Sequence, residues 1–372
     1  MGIPYGRQSI NQDDIDAVVG VLKGDWLTTG PAVEKFEFDL QQFTGGVPVV
    51  SVSSGTAALH SAYIAAGIGP GDEIITPPLT FIATQATAAL CGAKVVFSDI
   101  QSDTGNIDPL QIEEKITSRT KAIVAVDYAG HPADLDEIRK ICDKHNLIFI
   151  EDASHALGSK YKNNYVGSIA DITTFSFFPT KNITTGEGGA IACRDPQILQ
   201  KARRFARQGL IRDKKEFKVG NEGPWHQEVH QFGLNYRLPD ILAALGSSQL
   251  NRLIEFKSKR NYIFSLYENE LTKLNHVILP KKLNYVDPFW HLYPIRVPAE
   301  NRQKIFEKLR ANGIQVQVNY MPSHMQPVFK GSYANDDFPN SYEFYKQEIS
   351  LPIYPDLSLN QIQFICSLIK EN

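Results

Sequence analysis

The 372-residue chain contains only four cysteines, Cys91, Cys142, Cys193 and Cys366, far apart and with no CxxC pair. This excludes a disulfide-stapled scaffold and leaves no zinc-ligand spacing, so no metal is expected. Each is read as a buried free thiol, since unpaired cysteine behaves mainly as a small core hydrophobe. Long apolar runs are also missing. Stretches such as KAIVAVDYAG fall short of the roughly 18 residues that a membrane span needs, so no membrane association is expected. The start, MGIPYGRQSI, has no apolar signal core, and Gly6 stands where a myristoylation signal requires Ser or Thr. A cytoplasmic location follows as the expectation, and the sequon Asn182-Ile183-Thr184 is read as chance. Charge of one sign is not in excess: 38 Lys and Arg against 41 Asp and Glu leave −3, which argues against nucleic acid as a partner. The chain has no GxxxxGK[ST] and no GxGxxG after its first strand, which disfavours a P-loop enzyme or a dinucleotide-binding Rossmann domain. The lack of an internal repeat removes solenoids and propellers.

What is present is an ordinary globular composition, 42% hydrophobic and 21% charged, long enough for two domains at roughly 100–200 residues each. Asn11 is placed to cap a helix with Ile15, Val18, Val19 and Leu22 on one stripe and Gly24 at its end. A second helix follows Pro31, with Val33, Phe36, Leu40 and Phe43 on its stripe and Gly45-Gly46 as its stop. Thereafter short apolar runs, PVVSV, DEIIT, KVVFSD, KAIVAVD, NLIFIED and GGAIAC, alternate with helical segments such as ADLDEIRKICDKHN. Such runs read as strands buried on both faces, and the alternation predicts an α/β fold with a mainly parallel sheet covered by helices. Helical periodicity over residues 239–270 is longer than a typical globular helix and is read as a link between domains. The remainder reads as a smaller α+β unit: FWHLYPIRV and IQVQVNY as strands, NRQKIFEKLRANG as a helix and LNQIQFICSLIKEN as a closing helix. The expected division is residues 1–250 and 251–372, with the N-terminal helices free to pack on the smaller unit.

Three segments carry chemistry. Ser53-Ser54-Gly55-Thr56 follows a strand and opens a helix, where free N–H groups and the helix dipole suit a phosphate; an ordinary serine cap is the equally simple alternative. Glu151-Asp152-Ala153-Ser154-His155 closes the strand LIFI, at the carboxyl end where α/β sheets bind ligands, although Asp152 could equally be a helix cap. In Ser176-Phe177-Phe178-Pro179-Thr180-Lys181, a lysine stands among aromatics and glycines, surroundings that unpaired lysines avoid. Desolvation lowers a lysine pKa and makes its amine a nucleophile toward aldehydes; a solvated loop lysine is the plain alternative.

Taken together, TF after PPL, EDASHA on a later strand and SF…PTKNITTGEGG before the next resemble the DegT/DnrJ/EryC1/StrS family of sugar aminotransferases, which are pyridoxal-phosphate enzymes of fold type I. The resemblance extends through FGLNYRLPDILAALGSSQL to ISLPIYPDLS. IPYGRQSI and TTGEGG are most similar to the branch that aminates C4 of a UDP-4-keto-6-deoxy-N-acetylhexosamine on the route to pseudaminic acid.

The resemblance implies a catalytic pair: Lys181 as the Schiff-base lysine and proton shuttle, and Asp152 as the partner of the pyridine nitrogen. It implies Phe81 stacked on the cofactor ring, His155 beside that ring or its hydroxyl, and Gly55, Thr56 and Ser176 on the cofactor phosphate. Asn235 would be supplied to that phosphate by a second subunit of a homodimer. It further implies L-glutamate as amino donor and a nucleotide-linked keto-sugar as acceptor. Alternatives are a GDP- or dTDP-linked keto-sugar, or a cofactor-binding regulator without turnover. Many relatives read SFHP where this chain has Phe178, so position 178 carries no catalytic weight. A branch that replaces the lysine by histidine eliminates water instead, so Lys181 argues for transamination. Arg237 suits a donor carboxylate or a structural ion pair, and Tyr320 and His324 suit the sugar nucleotide or an ordinary loop. The basic helix with Lys201, Arg203, Arg204 and Arg207 suits a diphosphate or, more simply, a solvated face.

Overall fold

The computed structural model describes residues 2–370. Met1, Glu371 and Asn372 lie outside them, so the last two residues of the expected closing helix LNQIQFICSLIKEN are outside the described residues. Helix α1 (Gln12–Leu22) starts as the sequence predicts: the Asn11 side chain accepts from the Asp14 N–H and the Asp14 carboxylate accepts from the Asn11 N–H, a reciprocal cap. Helix α2 (Pro31–Gln41) buries Val33, Phe36 and Leu40. Seven strands then build one sheet: β1 (Val49–Val52), β2 (Glu73–Thr76), β3 (Lys94–Phe97), β4 (Thr120–Val126), β5 (Ile148–Asp152), β6 (Ile172–Ser176) and β7 (Gly189–Cys193). Their order is β1-β7-β6-β5-β4-β2-β3, with β7 antiparallel to both neighbours and the other pairings parallel.

Both faces are covered, which explains why the strands read as continuous apolar runs. Val50, Val52, Ile74, Val124, Ile150 and Ile191 pack with helices α3 (Gly55–Ala65) and α4 (Ala83–Leu90) on one side. On the other side, Val49, Ala190 and Ala192 meet α2, and Ile75, Ile123 and Phe149 meet α5 (Leu135–His145). Strand β6 is the one that the apolar pattern does not reveal. Its Thr173 and Thr174 are buried because their hydroxyls donate to the Glu151 side chain and the Glu151 carbonyl respectively.

Helix α6 (Pro196–Phe205) carries the basic segment, where Arg203 pairs with Glu37 and Arg204 with Glu216. The helical stretch after residue 239 is two helices, α7 (Asp240–Leu250) and α8 (Leu253–Leu271), broken at Asn251-Arg252. Helix α7 packs on α1 and α2. Helix α8 joins a separate apolar cluster with β8 (Tyr293–Arg296), α9 (Ala299–Ala311), β9 (Glu348–Leu351) and α11 (Leu359–Lys370), while α10 (Pro339–Gln347) lies against α9. IQVQVNY is not a regular strand: it forms single bridges, Ile314 to Ile3 and Gln317 to Ser350, and the partner of β8 is β9. Thus the N-terminal helices pack on α7, while Ile3 of the segment before them joins the C-terminal cluster, as do Leu79, Ile100, Tyr128 and Ala129. Cys142, Cys193 and Cys366 are buried and Cys91 is partly so; all four are free. The Asn182 amide is buried, donating to the carbonyls of His155, Leu157 and Phe289, so the sequon presents no accessible acceptor.

Asp14 is the buried joint between α1 and α7, accepting from Ser248 and Gln249 (2.6 Å each) and pairing with Arg252. Asp14→Ala is expected to lower unfolding stability by about 2–4 kcal/mol, because it strands the arginine and removes the reciprocal cap. Urea unfolding of the purified protein measures this.

Candidate active site

The carboxyl ends of β4, β5 and β6, marked by Val126, Asp152 and Ser176, open onto a cavity of about 540 Å³. Gly55, Thr56, Phe81, Asp152, His155, Ser176, Lys181 and Tyr320, all singled out from sequence, line it together. Ser54 caps α3 by accepting from the Ala57 N–H, which leaves the amides of Gly55 and Thr56 at the helix's positive end beside the cavity. A Cβ on Gly55 would lie 2.8 Å from the Ser176 Cβ, and one on Gly189 would lie 2.4 Å from the Ser54 carbonyl oxygen. Glycine at both positions is therefore what lets the strand ends and the helix start close into a cradle of N–H and hydroxyl donors.

Asp152 is nearly fully buried, yet its carboxylate is well satisfied. Thr84 Oγ1 donates to Oδ2 at 2.7 Å, and Ser154 donates to Oδ1 through its hydroxyl (2.6 Å) and its N–H (3.2 Å). Thr84 has no motif of its own; it is one helical turn beyond Thr80-Phe81. Lys181 enters from the loop after β6. Burial pushes its amine down to about 8, while the Asp152 charge pulls the other way. Arg260 anchors the same loop. Its guanidinium is buried without a carboxylate and donates to the carbonyls of Thr180, Trp290, His291 and Ile353, and burial pushes it down to about 10.

Opposite these groups lie two imidazoles, His155 and His291, with ring centroids 4.4 Å apart. Both are held well below their ordinary pKa, first by burial and then by the Lys181 charge among others, so both are neutral near pH 7. The Tyr320 hydroxyl is 3.1 Å from His155 Nε2, while Nδ1 of each histidine is buried without a partner. At the mouth, Phe81 and Phe178 remain 57% and 46% exposed, large rings offered to an occupant. The sequence analysis missed Tyr5, Thr84, Glu187, His291, Gln317 and Asn319 in this wall. Tyr5 arrives on the N-terminal segment, where Asn319 Nδ2 donates to its hydroxyl at 2.5 Å across 314 positions, a pairing no local motif could signal.

Three sequence candidates lie outside this wall. His324 is buried against Phe338, with ring centroids 4.8 Å apart. Arg237 donates to Gln208 at 2.6 Å beside Arg207 and Thr29, so its partner here is an amide and not an ion. Asn235 is exposed, and it does not cap α7, whose first turn follows Pro239.

The donor cradle, the buried amine and the satisfied carboxylate fit a phosphorylated pyridine aldehyde, and the unpartnered imidazole nitrogens leave donor or acceptor capacity for its ring substituents. Asp152→Asn removes the charge that supports the Lys181 ammonium, so the lysine pKa is expected to fall further below about 8. The pH dependence of reductive methylation of Lys181 in cofactor-free protein measures it; an upward shift contradicts the assignment.

Comparisons with known proteins identify relatives of the chain. The model of the DegT/DnrJ/EryC1/StrS aminotransferase family matches residues 8–370. The chain is 37% identical over 369 residues to a UDP-4-amino-4,6-dideoxy-N-acetyl-beta-L-altrosamine transaminase of Campylobacter jejuni, covering 98% of this chain and 95% of that one. It is 36% identical over 376 residues to the spore coat polysaccharide biosynthesis protein SpsC of Bacillus subtilis, covering 99% and 96%. Among solved structures, Helicobacter pylori PseC, an aminotransferase of pseudoaminic acid biosynthesis, superposes with a TM-score of 0.92 at 33% identity, covering 100% of this chain and 99% of that one. The PLP form of the putative sugar aminotransferase Spr1654 from Streptococcus pneumoniae superposes at 0.93 with 30% identity, covering 100% and 98%. With the family model spanning residues 8–370 and a PLP-form structure superposing over the whole chain, the chain belongs to the DegT/DnrJ/EryC1/StrS aminotransferase family of pyridoxal-phosphate enzymes.

Proposed function

We propose that this enzyme moves the amino group of L-glutamate to C4 of a UDP-4-keto-6-deoxy-N-acetylhexosamine, in the cytoplasm, as a step toward pseudaminic acid. The observation that carries the transaminase chemistry is the placement of Lys181 and Asp152 in one cavity with opposite electrostatic treatment. The lysine is desolvated and the carboxylate accepts from three donors. The similarity to the Campylobacter and Helicobacter enzymes supports the sugar.

Bound pyridoxal phosphate supplies a carbonyl that condenses with amines and a ring that accepts negative charge from the adjacent carbon. The chain's own groups do the rest. Gly55, Thr56 and Ser176 hold the phosphate, and Asp152 keeps a proton on the ring nitrogen by charge-assisted hydrogen bonding. Lys181, with a pKa near the working pH, takes and returns a proton at its Nζ with little driving force lost in either direction. Tyr320 orients His155, which would sit beside the cofactor ring or its hydroxyl. Phe81 and Phe178 shield the mouth from water and stack on flat or apolar parts of the ligand.

The reading includes a homodimer in which Asn235 reaches the cofactor phosphate of the partner. What supports it is that Asn235 is exposed, is no helix cap, and belongs to a stretch of chain that carries strongly exposed apolar residues, Trp225 at 73% and Phe232 at 93%. Borohydride reduction of the holoenzyme and peptide mapping are expected to place the cofactor on Lys181. With glutamate and a panel of UDP-, GDP- and dTDP-keto-sugars, mass and NMR analysis should find C4 amination of the UDP sugar; product from the GDP or dTDP sugars alone would overturn the substrate assignment, and no turnover on any sugar would favour a regulator. Mixing Asn235→Ala with Lys181→Ala is expected to restore part of the lost turnover, because one hybrid site receives both intact residues. Absence of rescue despite subunit exchange contradicts a shared site.

A further inference from the structure

Directly behind Asp152 lie two carboxyl groups with no basic partner. Asp127 follows the last residue of β4 and Glu151 precedes Asp152 in β5; both side chains belong to residues with no solvent exposure. One oxygen of each is fully explained. Asp127 Oδ1 accepts from the Ala133 N–H at 2.9 Å, and Glu151 Oε2 accepts from Thr173 Oγ1 at 2.8 Å and from the Gly167 N–H at 3.2 Å. The remaining oxygens, Asp127 Oδ2 and Glu151 Oε1, have no donor anywhere among the described residues. The parallel register sets Glu151 against Ala125, two residues before Asp127, so the two acids lie on one face of the sheet and each acts electrostatically on the other. Two ionised carboxylates cannot face each other in a dry interior. The arrangement is stable only when one proton lies between them, turning a repulsion into a short charge-assisted bond.

We propose that Asp127 and Glu151 share one proton and act as a single positioning unit for Asp152. The bond they make ties the end of β4 to the end of β5, where the Asp127 N–H also donates to the Asp152 carbonyl at 3.1 Å. The carboxylate that meets the cofactor is thereby held against a rigid neighbour, and the charge behind it is limited to one. The charged groups facing the pair are few: Asp152 acts on Asp127, and the ammonium of Lys181 faces Asp152 from across the cavity. Burial pushes both acids up, Glu151 to about 7, and the Glu151 charge raises Asp127 further, while the contact with Asp127 holds Glu151 lower than burial alone would. Acids with raised folded-state values stabilise the fold fully below their unfolded value, and this contribution is lost as pH rises through the folded value.

Amide substitutions separate a shared proton from mere packing. In Asp127→Asn the new N–H donates to Glu151 Oε1, and in Glu151→Gln it donates to Asp127 Oδ2, while the other oxygen of each keeps its present donors. The melting temperature of wild-type holoenzyme is expected to fall between about pH 5 and pH 9, and each amide variant to show a flatter profile over that range. Glu348, a buried carboxyl also pushed up, to about 8, titrates equally in all three proteins and cancels in the comparison. Asp127→Ala is expected to retain pyridoxal phosphate about tenfold more weakly at every pH, with Asp127→Asn restoring most of that loss. Infrared spectra of the wild type near neutrality should show the carbonyl band of a protonated carboxyl, weakened in each amide variant. Unchanged pH slopes in both amide variants, an Asn variant as damaging as Ala, or an undiminished carboxyl band would each overturn the shared proton.

Discussion

The site depends on placing an amine and a carboxylate in one cavity without letting them collapse into a plain salt bridge. Asp152 already accepts from Thr84 and Ser154, and Lys181 is held by a loop whose preceding carbonyl, that of Thr180, is bound by Arg260. The three donors leave Asp152 acceptor capacity for a ligand. The cost is a desolvated lysine, and that is what brings its pKa toward the range useful for proton transfer.

The C-terminal cluster contributes to the site through polar connections as well as through apolar contact with Leu79, Ile100, Tyr128 and Ala129. The Asn319 N–H donates to Glu348 at 2.8 Å, its carbonyl accepts from Tyr128 at 2.5 Å and its amide donates to Tyr5, so one residue joins the N-terminal segment, the loop after β4 and the small sheet. Next in the chain, Tyr320 reaches His155. Arg260 adds a second tie, from α8 to Thr180 and Ile353. Such networks are worth having only when fully satisfied, and their members are distributed over most of the chain length.

Much of the sheet was legible because strands covered on both faces must be apolar throughout, and the helices around it carry clear stripes and caps. Strand β6 was not legible, since its buried threonines are tolerated only by their bonds to Glu151. The break between α7 and α8 was also hidden: Asn251 and Arg252 interrupt a periodicity that otherwise continues, and only the packing of α7 on α1 and of α8 on α11 separates them. IQVQVNY alternates like a strand, yet its backbone meets two different partners one bridge at a time.

By itself the sequence determined the α/β class, the strand-end location of Asp152, the helix start at Gly55 and the reactive setting of Lys181, because each depends on residues adjacent along the chain. Tertiary structure alone decided that Tyr5, Thr84, His291 and Asn319 share that cavity, and that His324 and Arg237 stay outside its wall. It also decided that Asp127 and Glu151, 24 positions apart, are buried behind Asp152 with one unpartnered oxygen each. These outcomes follow from which strands and segments become neighbours, and that is a property of the folded register that no local pattern of residues encodes.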